Sequence, residues 1–143
     1  MSYAAQADIV PQRMTGIDLA ELTSENGVID ATIVQGALDA ASAIVDSYCG
    51  QRYATPLQPS NLVKEITLDL AIFDLASRRR DTQPRETWTQ RRDQAMTFLR
   101  DVSIGKASLD QPVNVTTPQT SSADVTRNDR REVFGEHNLR GFC

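Results

Sequence analysis

Apolar side chains recur every three to four residues in several stretches of the chain, a pattern that predicts a bundle of helices. The longest stretch covers residues 30–50, where one stripe is formed by Val34, Leu38, Ala41, Val45 and Tyr48. Asp30 is suited to cap the first turn and Gly50 to end the last one. We predict a long amphipathic helix here. Its opposite, polar edge, expected to face water or a partner, consists of Gln35, Asp39, Ser42 and Asp46.

Four more helical segments are predicted around this helix. Two short ones cover residues 4–10, ended by Pro11, and residues 16–23, where the side chains expected to face inward are Ile17, Leu19 and Leu22. Two longer ones cover residues 61–80, capped by Ser60 or Asn61, and residues 85–104, stopped by Gly105. Trp88 is expected to anchor the core. The predicted fold class is all-α: a small helical bundle over residues 1–105, followed by a long, mostly irregular C-terminal extension over residues 106–143.

The segment 61–80 carries apolar side chains on two faces. One face holds Leu62, Val63, Ile66, Leu70 and Phe73, and the other holds Leu68, Ala71, Ile72 and Leu75. A bundle of this size rarely buries a helix on two sides, so the second face is a candidate subunit interface. The arginines at the end of the segment, Arg78, Arg79 and Arg80, are assigned to the same interface. The alternative is that the short N-terminal helix covers this face.

Composition favours one soluble domain without membrane association. Of the 143 residues, 40% are hydrophobic and 24% are charged. The net charge is -4, with 10 basic and 14 acidic residues in the predicted bundle and five of each beyond it, so bulk attraction to nucleic acid is not expected. No apolar run approaches the length of a membrane span, and the pattern of a signal peptide is absent.

Catalytic and metal-binding patterns are missing from the sequence. His137 is the only histidine, and no nucleophile or orienting carboxylate stands at a recognisable spacing from it. A metal site would need His137 together with Cys49 and Cys143, which come from two separate regions. The glycines are spread through turns and caps and form no phosphate-binding loop. We therefore expect no catalytic residues, no metal and no cofactor.

The C-terminal extension changes character near its end. Residues 106–132 are mostly polar and lack periodicity, whereas the closing stretch EVFGEHNLRGFC returns large apolar groups to the chain. This is typical of a tethered docking motif, and the residues assigned to partner binding are Arg131, Val133, Phe134, Leu139, Arg140 and Phe142. About 25 extended residues reach on the order of 80 Å. The alternative is that the extension folds back on its own bundle.

The order of these segments resembles the phage Mu Gp36-type head-tail connector family. The resemblance is carried by the opening YAAQADIV, the exit of the long helix in IVDSYCGQRY, the end of the last helix in FLRDVSIGK, and the closing VFGEHNLRGF. It runs over nearly the whole chain.

The resemblance implies a structural subunit in the neck of the virion, assembled in the cytoplasm of the bacterial host. Neighbouring copies would form a ring of about twelve subunits, a dodecamer, seated on the portal protein. Other neck or tail-terminator proteins would adjoin the ring, and DNA would pass through its lumen without sequence-specific binding. The extension would engage the portal or a neighbouring subunit by folding on binding.

Two other functions stay open at the level of sequence. A small helical nucleic-acid-binding regulator would use residues 78–80 with Arg91 and Arg92, although the helices are longer than those of a helix-turn-helix and are separated by proline-containing loops. An antirepressor-like or chaperone partner is the third possibility.

Overall fold

The fold is given by a computed structural model, which describes residues 2–24, 26–79 and 83–113. Over these residues the chain forms five helices and no strand, which confirms the all-α prediction. The helices are α1 (Gln6–Ile9), α2 (Gly16–Thr23), α3 (Ala31–Cys49), α4 (Asn61–Ser77) and α5 (Glu86–Ile104). The three long helices contact one another pairwise and make up the body, while α1 packs on α3 and α2 packs on α4.

Local capping signals set the ends of the long helices. The Asp30 carboxylate accepts hydrogen bonds from the backbone N–H groups of Thr32 and Ile33, at 2.9 and 3.3 Å, and so begins α3 as predicted. The Ser60 hydroxyl accepts one from the Val63 N–H and begins α4. Gly105 has a φ of 86°, in the left-handed region that favours glycine, and there α5 ends.

The core lies between the three long helices and is formed by the stripes that their sequences predict. Side chains with no exposed surface include Leu38 and Val45 of α3, Val63 of α4, and Leu99 and Val102 of α5. Burial on this scale stabilises the fold by about 1.5–3 kcal/mol for each large aliphatic side chain.

The second apolar face of α4 is covered within the chain, which corrects the expectation of an unpartnered surface. Its four side chains, Leu68, Ala71, Ile72 and Leu75, are at most 2% exposed. The reason is that α4 packs against α3 and α5 and also receives α2. The prediction that these side chains contact a neighbouring copy therefore loses its premise. The alternative, that the short N-terminal helix covers the face, differs from the packing found: α2 packs on α4, whereas the first short helix, α1, packs on α3.

Two positions were assigned to the wrong side of their helix. Ile17 of α2 points away from the body and is 74% exposed, because this two-turn helix buries a different face, formed by Leu19, Ala20 and Thr23. Ser42 of α3 was expected on the polar edge but is buried. Its hydroxyl donates to the Leu38 carbonyl and accepts from the Tyr3 N–H, so a local partner and the N-terminal segment satisfy it.

The N-terminal segment is held to the body by polar side chains. The Tyr3 hydroxyl donates to the Asp46 carboxylate of α3 and accepts from the Leu57 N–H, at 2.8 Å. Arg13 forms ion pairs with Glu65 and Asp69 of α4. Near them, the Lys64 ammonium contacts the Asp8 carboxylate at 2.8 Å. These contacts connect the short first helices to α3 and α4.

The residues that follow α5 also belong to the packed body. Leu109 is buried, and the Gln111 side chain exchanges hydrogen bonds with the backbone N–H and carbonyl of Gln58. The Arg52 guanidinium donates to the carbonyls of Val102 and Ala107, each at 3.4 Å. The body therefore extends past the predicted boundary at residue 105, at least to residue 113.

Candidate interaction surfaces

The residues predicted to form a lateral interface do not lie on one surface. The four apolar ones are buried, as described above, whereas Arg78 and Arg79 at the end of α4 are exposed. The Arg79 guanidinium donates to the Ser24 carbonyl at 3.4 Å, which places it beside the loop after α2. Arg80 lies outside the described residues.

The predicted docking motif also lies outside the described residues; its members are Arg131, Val133, Phe134, Leu139, Arg140 and Phe142. The last described position is Val113, which forms an isolated antiparallel bridge with Tyr53. Val113 therefore lies beside the loop that follows α3.

An exposed apolar groove opens between α2 and the loop that precedes α3. Ile17 and Val28 line it and are 74% and 69% exposed, the largest values among the large apolar side chains of the described part. The groove, called here the α2 groove, has a volume of about 810 Å³. Its lining is Thr15, Gly16, Ile17, Ala20, Glu21, Gly27, Val28 and Ile29. Exposed apolar surface shared by two elements makes the groove a candidate contact surface.

Sequence reasoning missed the α2 groove because it placed Ile17 inward and assigned Val28 to no helical segment. The available signal was Val28, an apolar residue directly after the Asn26-Gly27 turn and outside every helical stripe. The remaining large exposed apolar side chains stand on other elements: Ile44, Leu62, Ile104 and Val113.

Two arginines near α5 are engaged within the chain. Arg85 stands 5.0 Å from the ring centre of Trp88 and 3.6 Å from an Asp18 carboxylate oxygen. Arg92 stands 5.2 Å from the ring centre of Phe73 and pairs with the neighbouring Asp93. Trp88 is half-buried and packs against the core, as predicted. Arg92 is thus held against an aromatic ring, although a regulator would need it for phosphate contacts.

Cys49 is fully buried, and burial, with a smaller contribution from the Asp46 carboxylate, raises the pKa of its thiol to about 11. The thiol is therefore unreactive near neutral pH. Among residues 2–24, 26–79 and 83–113, no three His, Cys, Asp or Glu side chains are grouped so that they could hold a metal ion. His137 and Cys143 lie outside these ranges.

No helix in the described part of the chain is long and apolar enough to cross a membrane. In comparisons with known proteins, a family model described as Bacteriophage Mu, Gp36 matches residues 3–127. The match covers the whole helical body and enters the C-terminal extension. The search of curated proteins found no match.

Proposed function

The chain belongs to the Gp36 family of bacteriophage Mu, and from this premise we propose that it is a head-tail connector subunit of a tailed bacteriophage. Copies of it form a ring of about twelve in the neck of the virion, between the portal protein and the tail. The observation that carries this proposal is the family match over residues 3–127. The protein acts by assembly and not by catalysis.

The architecture suits a ring subunit because the helices of the body are packed around one core and a long extension follows them. All three long helices contribute to the core. The N-terminal segment is attached to α3 through Tyr3 and to α4 through Arg13. A rigid body presents the same surface in every copy, which a closed ring requires. The excess of acidic over basic residues in the body also disfavours trapping of the DNA that passes through the lumen.

Lateral contacts in this ring come from exposed polar side chains, since the apolar faces of α4 are covered. Arg78 and Arg79 project from the end of α4. We assign them to ion pairs with acidic side chains of the neighbouring copy, a contact between two different patches that can repeat around a ring. Arg80 follows them in sequence and has the same proposed role.

The C-terminal extension supplies the attachment to the portal or to the next subunit. Its closing residues, 131–142, combine four large apolar side chains with two arginines, a composition typical of docking motifs. Other neck or tail-terminator proteins contact the opposite side of the ring. Assembly takes place in the cytoplasm of the bacterial host.

The test is binding to the portal protein of the same phage, measured by cosedimentation and native mass spectrometry. The full chain should saturate the portal at about twelve copies per ring, and a chain ending at residue 132 should bind at least about tenfold more weakly. An Ile104→Ser chain is the matched control, since Ile104 is exposed on another element and should bind normally. Absence of portal binding, together with salt-dependent binding to duplex DNA, would instead support the regulator.

A further inference from the structure

The α2 groove is an apolar surface that the described part of the chain leaves open. Ile17 and Val28 come from two separate elements yet line the same groove, so their exposure forms a patch and not two isolated side chains. The rest of α2 follows the usual rule and buries Leu19 and Ala20. Covering two adjacent aliphatic side chains removes their apolar surface from water, which is favourable.

The lining of the groove specifies the chemistry of its occupant. Ala20 and Ile29 continue the apolar lining, while Glu21 contributes a carboxylate. Glu21 is exposed and forms no ion pair with any described residue. A complementary occupant carries large apolar side chains with a cationic side chain among them.

We propose that, in the free protein, the α2 groove is occupied by residues 133–142 of the same chain. This segment has the required composition, since Leu139 and Phe142 flank Arg140 and further apolar groups come from Val133 and Phe134. The apolar side chains cover Ile17 and Val28, and Arg140 pairs with Glu21. The proposal concerns the chain before assembly and does not rest on the proposed function.

The geometry of the body allows the segment to reach the groove. The last described residue, Val113, is bridged to Tyr53 just beyond the C-terminal end of α3. The groove lies at the other end of α3, next to Ile29. The 19 residues of α3 span about 28 Å. The 19 residues between Val113 and Val133 span up to about 60 Å when extended, which is about twice the length of α3.

The covalent connection favours occupation of the groove by the chain's own segment over occupation by the segment of a second copy. A segment tethered to its own body by 19 residues experiences an effective concentration on the order of millimolar. At micromolar protein concentration the intramolecular contact therefore prevails. A partner that binds residues 133–142 first has to displace them from the groove. The groove therefore keeps these residues occupied until a partner binds them more tightly.

The experiment uses the natural Cys143, which directly follows the proposed segment, as a reporter. Asn26 is exposed and adjoins Gly27 of the groove, so Asn26→Cys places a thiol at the rim. Cys49 is fully buried and does not compete. The matched control is Gln94→Cys, at an exposed position on α5 away from the groove. Both full-length variants are oxidised at low micromolar concentration with oxidised glutathione, and products are resolved on non-reducing gels and by mass.

An intrachain disulfide with Cys143 should form about tenfold faster in Asn26→Cys than in Gln94→Cys, because docking raises the local concentration of the thiol. Adding Val28→Ser to Asn26→Cys should remove this advantage, and adding Ile104→Ser should preserve it. Both added substitutions are at exposed positions, and circular dichroism checks that each variant folds. Equal rates in the two cysteine variants, or disulfide-linked dimers as the main product, would overturn the proposal. No portal is present, so failure here is distinct from failure of the proposed function.

Discussion

The backbone N–H of Leu109 donates a hydrogen bond of 2.9 Å to the hydroxyl of Tyr53. Tyr53 is almost completely buried in the loop after α3, and Leu109 is buried in the segment after α5. The contact therefore attaches the first part of the C-terminal extension to the body. It also places Leu109 beside the loop after α3, and the reach of the docking motif is counted from this side of the body.

Tyr53→Phe should destabilise the fold by about 1–2 kcal/mol, because the ring still fills its site but the Leu109 N–H is left buried without an acceptor. The measurement is the free energy of unfolding from urea denaturation followed by circular dichroism. Tyr48→Phe is the control, since the half-buried Tyr48 hydroxyl has no hydrogen bond among the described residues. Equal stability of Tyr53→Phe and the unmodified chain would mean that residues 106–113 contribute little to the body.

Alkaline pH should weaken the attachment of the N-terminal segment through Tyr3. Burial, followed by the hydrogen bond to Asp46, raises the pKa of the Tyr3 hydroxyl from 10.0 to about 12. The folded state thus favours the neutral hydroxyl, and its stabilising contribution is complete below pH 10.0 and is lost as the pH rises through about 12. Between these values, Tyr3→Phe should lose less stability than the unmodified chain in urea unfolding. Parallel losses in the two proteins would contradict this role for Tyr3.

Acidic pH should lower the stability of the fold by protonating Asp8. The hydrogen bond from Lys64, followed by that from the Ala5 N–H, lowers the pKa of the Asp8 carboxyl below 3.8. Its stabilising contribution is present above pH 3.8 and is lost as the pH falls through the lower value in the folded state. Asp8→Asn should therefore be less stable than the unmodified chain at neutral pH, with the difference shrinking in acid. A pH-independent difference for Asp8→Asn would exclude this mechanism.

Arg13→Ala should cost about 1–3 kcal/mol in the free energy of unfolding, since it removes the cation between two carboxylates. Burial raises the pKa of the Asp69 carboxyl, and the Arg13 charge opposes that shift. Without Arg13, the pKa of Asp69 should rise further, which nuclear magnetic resonance titration of the carboxyl can follow. Arg100→Ala, on the exposed side of α5, should stay near the unmodified value. Loss of stability in both variants alike would point to a general charge effect.

Local sequence signals predicted much of this fold. Contacts between residues distant in sequence could not be predicted from the pattern of apolar and polar positions. Asp30, Ser60 and Gly105 act within their own turns, so their roles as caps and stops follow from residue type. Which element covers the second face of α4 depends on where α2 packs. The stripe of Leu68 and Leu75 identifies an apolar face but not its neighbour.

The candidate site was harder to predict for the same reason. Ile17 and Val28 line the same groove although a turn separates them in sequence. Neither residue has a periodic partner in the sequence from which their proximity could be predicted. Leu109 likewise lies in a stretch without periodicity, and the acceptor of its backbone N–H, the hydroxyl of Tyr53, is distant in sequence. The closing apolar motif, by contrast, stands out in sequence because it follows a long polar stretch.

The position of the subunit in the virion is tested most directly by electron cryo-microscopy of the phage neck. The account predicts density for α3, α4 and α5 in a closed ring of about twelve copies on the portal, with identical head-to-tail contacts and Arg78 and Arg79 at the boundary between copies. An isologous dimer, or a neck whose density between portal and tail fits a different chain, would contradict it.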